Sequence, residues 1–251
     1  NMAILSQDII EKYHLKSIFF ALHILNAAIH VVLTNLPGEA YAISKVLLMP
    51  LLCLFFMVSV VDAKKGKFIA LALCGLWLGN ICLIWGEESK LLFFMGSAFT
   101  VLGIFSYLIM LSHKISSIST GFTLLQMPII WSCAFFVFFM AEDLGAMLIP
   151  ISLYMSLIAL VCMLALAQLL NARHSKGAWM IFLGSIFYIA ENGLYTADHY
   201  MVGYSFGPNI VHSCFIMAQT LIVCGYLRCE NKSQQNVNNS IDGSVGELSR
   251  A

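Results

Sequence analysis

Charge is the scarcest feature of this 251-residue chain. Only 10% of its residues are charged and 60% are hydrophobic, whereas a soluble domain carries about 25% charged and roughly 45–50% apolar residues. This composition excludes an ordinary water-soluble fold. The formal net charge is zero, so bulk electrostatics predicts no nucleic-acid partner.

Several signatures of metal and phosphate chemistry are also missing. The sequence has no Cys-x-x-Cys pair, no His-Glu-x-x-His motif and no glycine-rich phosphate loop. Its eight cysteines are scattered, and seven of them lie in apolar runs. We interpret them as small buried apolar residues, and we expect no metal and no cofactor.

Long apolar runs dominate what is present. A helix needs about 20 apolar residues to cross a bilayer, and eight such segments can be marked between residues 17 and 228. The predicted fold is therefore an all-α, polytopic membrane helix bundle with eight transmembrane helices. A polar N-terminal segment (1–16) precedes it, and a flexible polar cytoplasmic tail (229–251) follows. The segments are 17–36, 44–62, 67–86, 90–112, 120–141, 146–171, 176–197 and 208–228.

The charged residues are distributed unevenly between the two sides of this topology. Ten positive residues fall on one side, and only Lys45 and Lys90 fall on the other. Positively charged loops stay in the cytoplasm, so both termini are predicted to be cytoplasmic, in the plasma (inner) membrane if the source is bacterial. A count of seven or nine spans is the alternative, and it would break this segregation. The ten residues are Lys12, Lys16, Lys64, Lys65, Lys67, Lys114, Arg173, Lys176, Arg228 and Lys232.

Polar side chains inside a bilayer are costly and are functional-site candidates by default. The apolar segments contain fifteen worth considering. They are His23, Asn26, His30, Lys45, Asn80, Tyr107, Gln126, Tyr154, Gln168, Tyr188, Glu191, Asn192, Tyr195, His212 and Gln219.

Glu191 is the outstanding candidate, because no charged residue lies within six positions of it. Apolar surroundings penalise the charged form of a carboxyl group, and a protonated acid is what general-acid catalysis requires. Two other interpretations remain open. Glu191 could hydrogen-bond a neighbouring helix, or it could form a structural ion pair with Lys45.

Asn80 and the polar face of the first segment are weaker candidates. Asn80 lies in the middle of the third segment, where an amide often joins two helices. His23, Asn26 and His30 share one helical face and are predicted to point into the bundle. As a metal site they lack carboxylate partners.

Four ordered motifs resemble those of the YhhN-like lysoplasmalogenase family of eight-span membrane proteins. Residues 44–52 (Ser-Lys-Val-Leu-Leu-Met-Pro-Leu-Leu) are similar to its Thr-Lys-Pro-Leu-Leu-Met-Pro-Leu-Leu signature. Residues 76–83 lie at the place of its Gly-Asp-Leu-Leu motif, and 184–191 at that of Gly-Ala-Leu-Phe-x-x-Ser-Asp. Residues 217–225 are similar to its closing Leu-Ala-Gln-x-Leu-Ile-x-x-Gly.

The resemblance implies hydrolysis of the vinyl-ether bond of a lysoplasmalogen, giving a fatty aldehyde and a glycerophospho-alcohol. Two intramembrane aspartates would share the acid and base work in the family. This chain has Asn80 at the first position and Glu191 at the second, and segment 99–107 lacks the histidine that the family often carries. Asn80 can neither donate a proton as an acid nor accept one as a base, so a histidine such as His23 or His212 is an alternative partner.

These observations give two hypotheses for the function. In the first, the chain is a membrane-embedded lysophospholipid or ether-lipid hydrolase with Glu191 as general acid and Asn80 orienting water or substrate. Lys45 would meet the headgroup phosphate of the lipid. The second is a non-catalytic lipid-binding or transport bundle that has lost the paired aspartates. The other substrate-binding candidates are Tyr188, Asn192, Tyr195, Gln219 and His23.

Overall fold

A computed structural model describes the backbone of residues 2–36, 38–86, 89–113, 120–172, 175–201 and 207–248. Side chains are described for residues 12–36, 38–64, 66–86, 89–113, 124–172, 175–201 and 207–232. All the regular structure within these ranges is helical.

Eight long helices correspond in order to the eight predicted segments. A short helix (Ala141–Leu144) and a 3-10 turn (Gly145–Met147) link the fifth to the sixth. The long helices are α1 (Met2–Leu33), α2 (Glu39–Ser59), α3 (Ala63–Ile84), α4 (Lys90–Ser112), α5 (Thr120–Phe139), α6 (Leu148–Asn171), α7 (Lys176–Tyr200) and α8 (Pro208–Leu248).

The number of membrane crossings is a separate question from the number of helices. Six helices of the described chain are long and apolar enough to cross a membrane by length and composition. The described part of α5 is shorter, and α7 is made more polar by Glu191 and Asn192. The structure therefore shows an integral membrane helix bundle, and the count of eight spans stays a prediction.

Both terminal helices extend beyond the predicted apolar segments. Helix α1 begins at Met2, so the polar residues 2–16 are part of it. Helix α8 continues to Leu248, so the predicted flexible tail is helical as far as that residue. The flexibility of the tail, like the cytoplasmic location of both ends, stays a prediction.

Most consecutive helices pack against each other, most extensively α7 against α8, and α4 packs chiefly against α3 and α6. A Cβ atom added to Gly184 would lie 2.9 Å from the carbonyl oxygen of Ala218. One added to Gly225 would lie 2.7 Å from that of Gly177. Small residues allow helix backbones to approach this closely in membranes.

The interior and the exterior of the bundle are both apolar. Leu52, Ile69, Ile104 and Val223, from four different helices, are completely buried in one core. Phe138, at 81% exposed, is one of many large apolar side chains on the outside. A surface of this kind is stable against lipid rather than water.

The cysteines only partly follow the prediction that they are buried. Cys133 and Cys162 are buried, Cys74 is exposed, and the other five are half-buried. A small apolar side chain loses nothing by facing lipid, so burial does not select its position.

Candidate functional site

The polar groups gather near one end of the bundle, where α1 meets α2 and α7 meets α8. We call it the Lys45 end, because α2 carries Lys45 close to it. The helices that contribute side chains there are connected by short segments, which bring residues distant in sequence into one layer.

Helix α7 fixes the Glu191 carboxyl group through its neighbour. Asn192 donates its amide hydrogens to Glu191 Oε2, at 2.5 Å, and to the Tyr188 carbonyl oxygen, at 2.8 Å. Its own Oδ1 accepts a hydrogen bond of 2.8 Å from the Tyr154 hydroxyl on α6. The carboxyl group thus has a defined orientation within a polar cluster of two helices.

Lys45 is the positive charge of this layer. It is half-buried, and its charge interacts with the carboxyl group of Glu191. The described residues show no hydrogen bond between these two side chains. Lys45 Nζ instead donates to the hydroxyl of Tyr41, one turn earlier on α2, at 3.4 Å.

Two imidazoles complete the layer. The Tyr41 hydroxyl and His212 Nε2, on α8, are 3.1 Å apart. The His30 ring, on α1, lies with its centroid 5.2 Å from that of Tyr41 and 4.8 Å from that of His212. Its Nδ1 is 2.9 Å from Ser44 Oγ.

A second polar layer lies deeper in the bundle. The hydroxyl of the fully buried Tyr107 donates to Gln219 Oε1 at 2.6 Å. Tyr107 and Tyr188 lie near each other in the same buried core, so this layer adjoins the Glu191 cluster. His23 Nε2 lies 3.0 Å from Oγ1 of Thr220, the neighbour of Gln219 on α8.

The polar face of α1 points into the bundle, as the sequence predicts. His23 and His30 are completely or almost completely buried. Asn26 lies between them and donates to the Ser44 carbonyl oxygen at 2.9 Å. Among the described residues, no group of three or more His, Cys, Asp or Glu side chains could hold a metal ion.

Asn80 is less closely connected to the site. Its amide nitrogen donates to the Leu76 carbonyl oxygen in its own helix at 2.9 Å. The described chain contains no hydrogen bond between Asn80 and Glu191. Trp77, one turn before Asn80, donates to the Val46 carbonyl oxygen at 3.0 Å, which places α3 beside the turn of α2 that carries Lys45.

Tyr195 and Tyr41 also lie at the Lys45 end of the bundle. Tyr195 is about half exposed, and its ring stacks on His199 with centroids 6.0 Å apart. Tyr41 lies near Tyr195. The sequence analysis missed Tyr41, although its spacing of four residues from Lys45 places both on one face of α2.

The arrangement unites the chemical groups needed for acid–base chemistry. It has one oriented carboxyl group, one cation and several phenol and imidazole groups, all inside a bundle that lipid surrounds. Such a set of ionisable groups within a membrane indicates a functional site.

Comparison with known proteins gives one match. A family model described as the YhhN family matches residues 40–226. Its range includes Lys45, Asn80, Glu191 and Gln219. No curated protein and no solved structure matches the chain.

Proposed function

The chain belongs to the YhhN family, and from this premise we propose that it is a membrane-embedded lipid hydrolase of the lysoplasmalogenase type. Its reaction would be hydrolysis of the vinyl-ether bond, or a related bond, of a lysophospholipid. The products are a fatty aldehyde and a glycerophospho-alcohol.

The observation that carries this proposal is the environment of Glu191. Its carboxyl group lies inside an apolar bundle, is oriented by Asn192 and interacts with the charge of Lys45. Asn192 donates to Oε2, so Oε1 is the oxygen left to carry the acidic proton. An oriented acid of this kind can protonate a vinyl carbon.

Lys45 has two functions in this mechanism. After the proton leaves Glu191, its positive charge stabilises the carboxylate. Its ammonium group has three N–H donors, of which one is directed to Tyr41. The others can bind the headgroup phosphate of a lysophospholipid.

The remaining candidates have supporting functions. The Asn80 amide is held by its own helix, which leaves Oδ1 to orient water or substrate. Tyr188, Asn192 and Tyr195 lie around the carboxyl group on α7, while Gln219 and His23 belong to the deeper polar layer, along which we place the alkenyl chain of the substrate.

Replacing Glu191 by Gln tests the proposal. The purified protein in detergent should release fatty aldehyde from a lysoplasmalogen, and Glu191→Gln should reduce the rate at least about 100-fold, the usual contribution of a general acid. Glu142→Gln is the matched control, because Glu142 is exposed in the turn after α5. Aldehyde release that survives Glu191→Gln would exclude Glu191 as the acid.

A non-catalytic lipid-binding or transport bundle is the second candidate. It is favoured by Asn80, which supplies an amide where a hydrolase with two carboxyl groups needs an acid or base. Lipid binding by the wild-type protein without any aldehyde release would support it over the hydrolase.

A further inference from the structure

The hydrogen bonds of His30 fix which of its ring nitrogens carries the proton. Ser44 Oγ donates its single hydrogen to the Tyr41 carbonyl oxygen at 2.8 Å. At the 2.9 Å contact with His30 Nδ1, Ser44 Oγ must therefore accept. His30 Nδ1 is the donor, so Nε2 of the neutral ring carries a lone pair.

Among the described residues, that lone pair has no hydrogen-bond donor. His30 is completely buried, and Nε2 forms no hydrogen bond within the described part of the chain. A buried acceptor without a donor costs free energy, and such exceptions in native proteins require an explanation. A water molecule or a substrate hydroxyl is the donor chemistry that fits.

The groups around His30 already form hydrogen bonds with one another. Lys45 donates to Tyr41, and the Tyr41 hydroxyl contacts His212 Nε2. His30 packs against both rings, so it belongs to the layer that holds the Lys45 charge beside Glu191. In this layer, His30 has an imidazole nitrogen that is a free proton acceptor.

We propose that His30 is the catalytic base of the site, and that its Nε2 takes a proton from the water that attacks the substrate. This function rests on the hydrolase activity proposed above. The hydrogen bond from Nδ1 to Ser44 would hold the ring in position, as a fixed partner orients a histidine base in other enzymes.

The reaction balances with these two residues. Glu191 gives its proton to the vinyl carbon that is not bonded to the ether oxygen, which leaves an oxocarbenium ion. Water bonds to the cationic carbon while one of its protons passes to His30 Nε2, giving a hemiacetal. The Glu191 carboxylate then takes the hemiacetal hydroxyl proton, the bond to the glycerol oxygen breaks, and His30 returns its proton to that oxygen.

His30 supplies the proton acceptor that Asn80 cannot provide. An amide at position 80 cannot take a proton from water, whereas an imidazole can. His23 Nδ1 also has no hydrogen-bond partner among the described residues, but His23 is a poorer choice of base, because it lies seven residues, about 10 Å, deeper along α1 than His30.

Deuterium uptake separates the base from the acid. In the variant His30→Asn, the side-chain amide nitrogen takes the place of Nδ1 as a hydrogen-bond donor, and the acceptor nitrogen Nε2 is lost. In D₂O, this variant should hydrolyse lysoplasmalogen at least about 100-fold more slowly than wild type. Glu191 still delivers a deuteron to the vinyl carbon. When the cation rotates about its carbon–carbon bond before it returns to substrate, Glu191 removes the original hydrogen instead, so mass spectrometry should find deuterium at that carbon in the unreacted lipid.

Three controls complete the experiment. Glu191→Gln should lose both turnover and deuterium uptake. Gln168→Leu removes another buried polar group, at the opposite end of the bundle, and should remain near wild-type turnover. A lysophospholipid with a saturated ether chain cannot react and should bind His30→Asn as tightly as it binds wild type.

The outcomes that would overturn the assignment are distinct. Turnover of His30→Asn within about threefold of wild type would exclude His30 as the base. If His30→Asn lost both turnover and the binding of the saturated lipid, His30 would also be excluded as the base. Loss of turnover without deuterium uptake would exclude it as well. If wild type releases no aldehyde, the hydrolase function itself fails.

Discussion

Asn80 differs from an aspartate by a single group, an amide nitrogen in place of a carboxyl oxygen. That nitrogen donates a hydrogen bond to the Leu76 carbonyl oxygen. A carboxylate could not keep this partner, because a carboxylate oxygen and a carbonyl oxygen are both acceptors. A carboxylate at this position would turn away from its own helix and become available as a second base.

We therefore expect Asn80→Asp to increase aldehyde release, and to restore part of the turnover lost in His30→Asn. A general base contributes about 100-fold or more, so even partial use of the new carboxylate should be measurable. The measurement is the initial rate of aldehyde formation, with the thermal midpoint checking that the variant folds.

Asn80→Ser serves as the control for this change. It shortens the side chain without adding a base, so it should not restore turnover to His30→Asn. Recovery in both double variants, or in neither, would contradict the assignment of position 80 to proton transfer.

Single residues of the site were predictable where they were chemically unusual. Glu191 and Asn192 are conspicuous because they interrupt an apolar helix. Tyr41 and Ser44 are ordinary residues near the beginning of a helix, and no local signal separates them from packing residues. Their importance follows only from the imidazoles that contact them.

At the scale of helices, the close contact between α7 and α8 supports the site. Helix α7 carries Glu191 and α8 carries His212. A change in the distance between the two helices would therefore move the Glu191 carboxyl group relative to the His212 ring. The contact depends on glycines whose missing side chains let the two backbones meet.

We expect Gly225→Ala to destabilise this pair. The new methyl group would lie 2.7 Å from the Gly177 carbonyl oxygen and 2.9 Å from the Ile181 backbone nitrogen, and neither backbone atom can move without shifting a helix. Overpacking of this kind costs about 1–3 kcal/mol. The thermal midpoint in detergent should fall, and aldehyde release should fall with it.

Gly193→Ala is the matched control within α7. Its added Cβ would lie 3.9 Å from the Phe136 ring, an ordinary contact, and alanine favours the helix more than glycine does. Its thermal midpoint should equal or exceed that of wild type. Equal destabilisation by both changes would show that the α7–α8 contact is not the cause.

At the scale of the whole molecule, the number of spans decides on which side of the membrane the α5–α6 and α6–α7 connections lie. With eight spans, the turn at Asp143 and the end of α6 at Ala172 lie on the outer and cytoplasmic sides, respectively. If only the six most apolar helices crossed, these two positions would exchange sides.

Reporter fusions distinguish the two topologies in a bacterial host. Alkaline phosphatase, which folds only outside the cytoplasm, should be active when fused after Asp143 and inactive when fused after Lys176, a junction that keeps the basic residues following Ala172. The physical reason is the positive-inside rule, because Lys176 and its basic neighbours follow Ala172 whereas Glu142 and Asp143 form the other turn. The reverse pattern would support six spans.

The sequence by itself determined the helices and their order, because the length of an apolar run and the charge of its flanks are local properties. It also identified Glu191, since one acid in an apolar segment needs no partner to be noticed. Only the tertiary structure brought Lys45, Tyr41, His30 and His212 together, because it packs α8 against the consecutive helices α1 and α2. The free nitrogen of His30 likewise depends on a serine from another helix, because hydrogen-bond partners are set by packing and not by neighbouring residues.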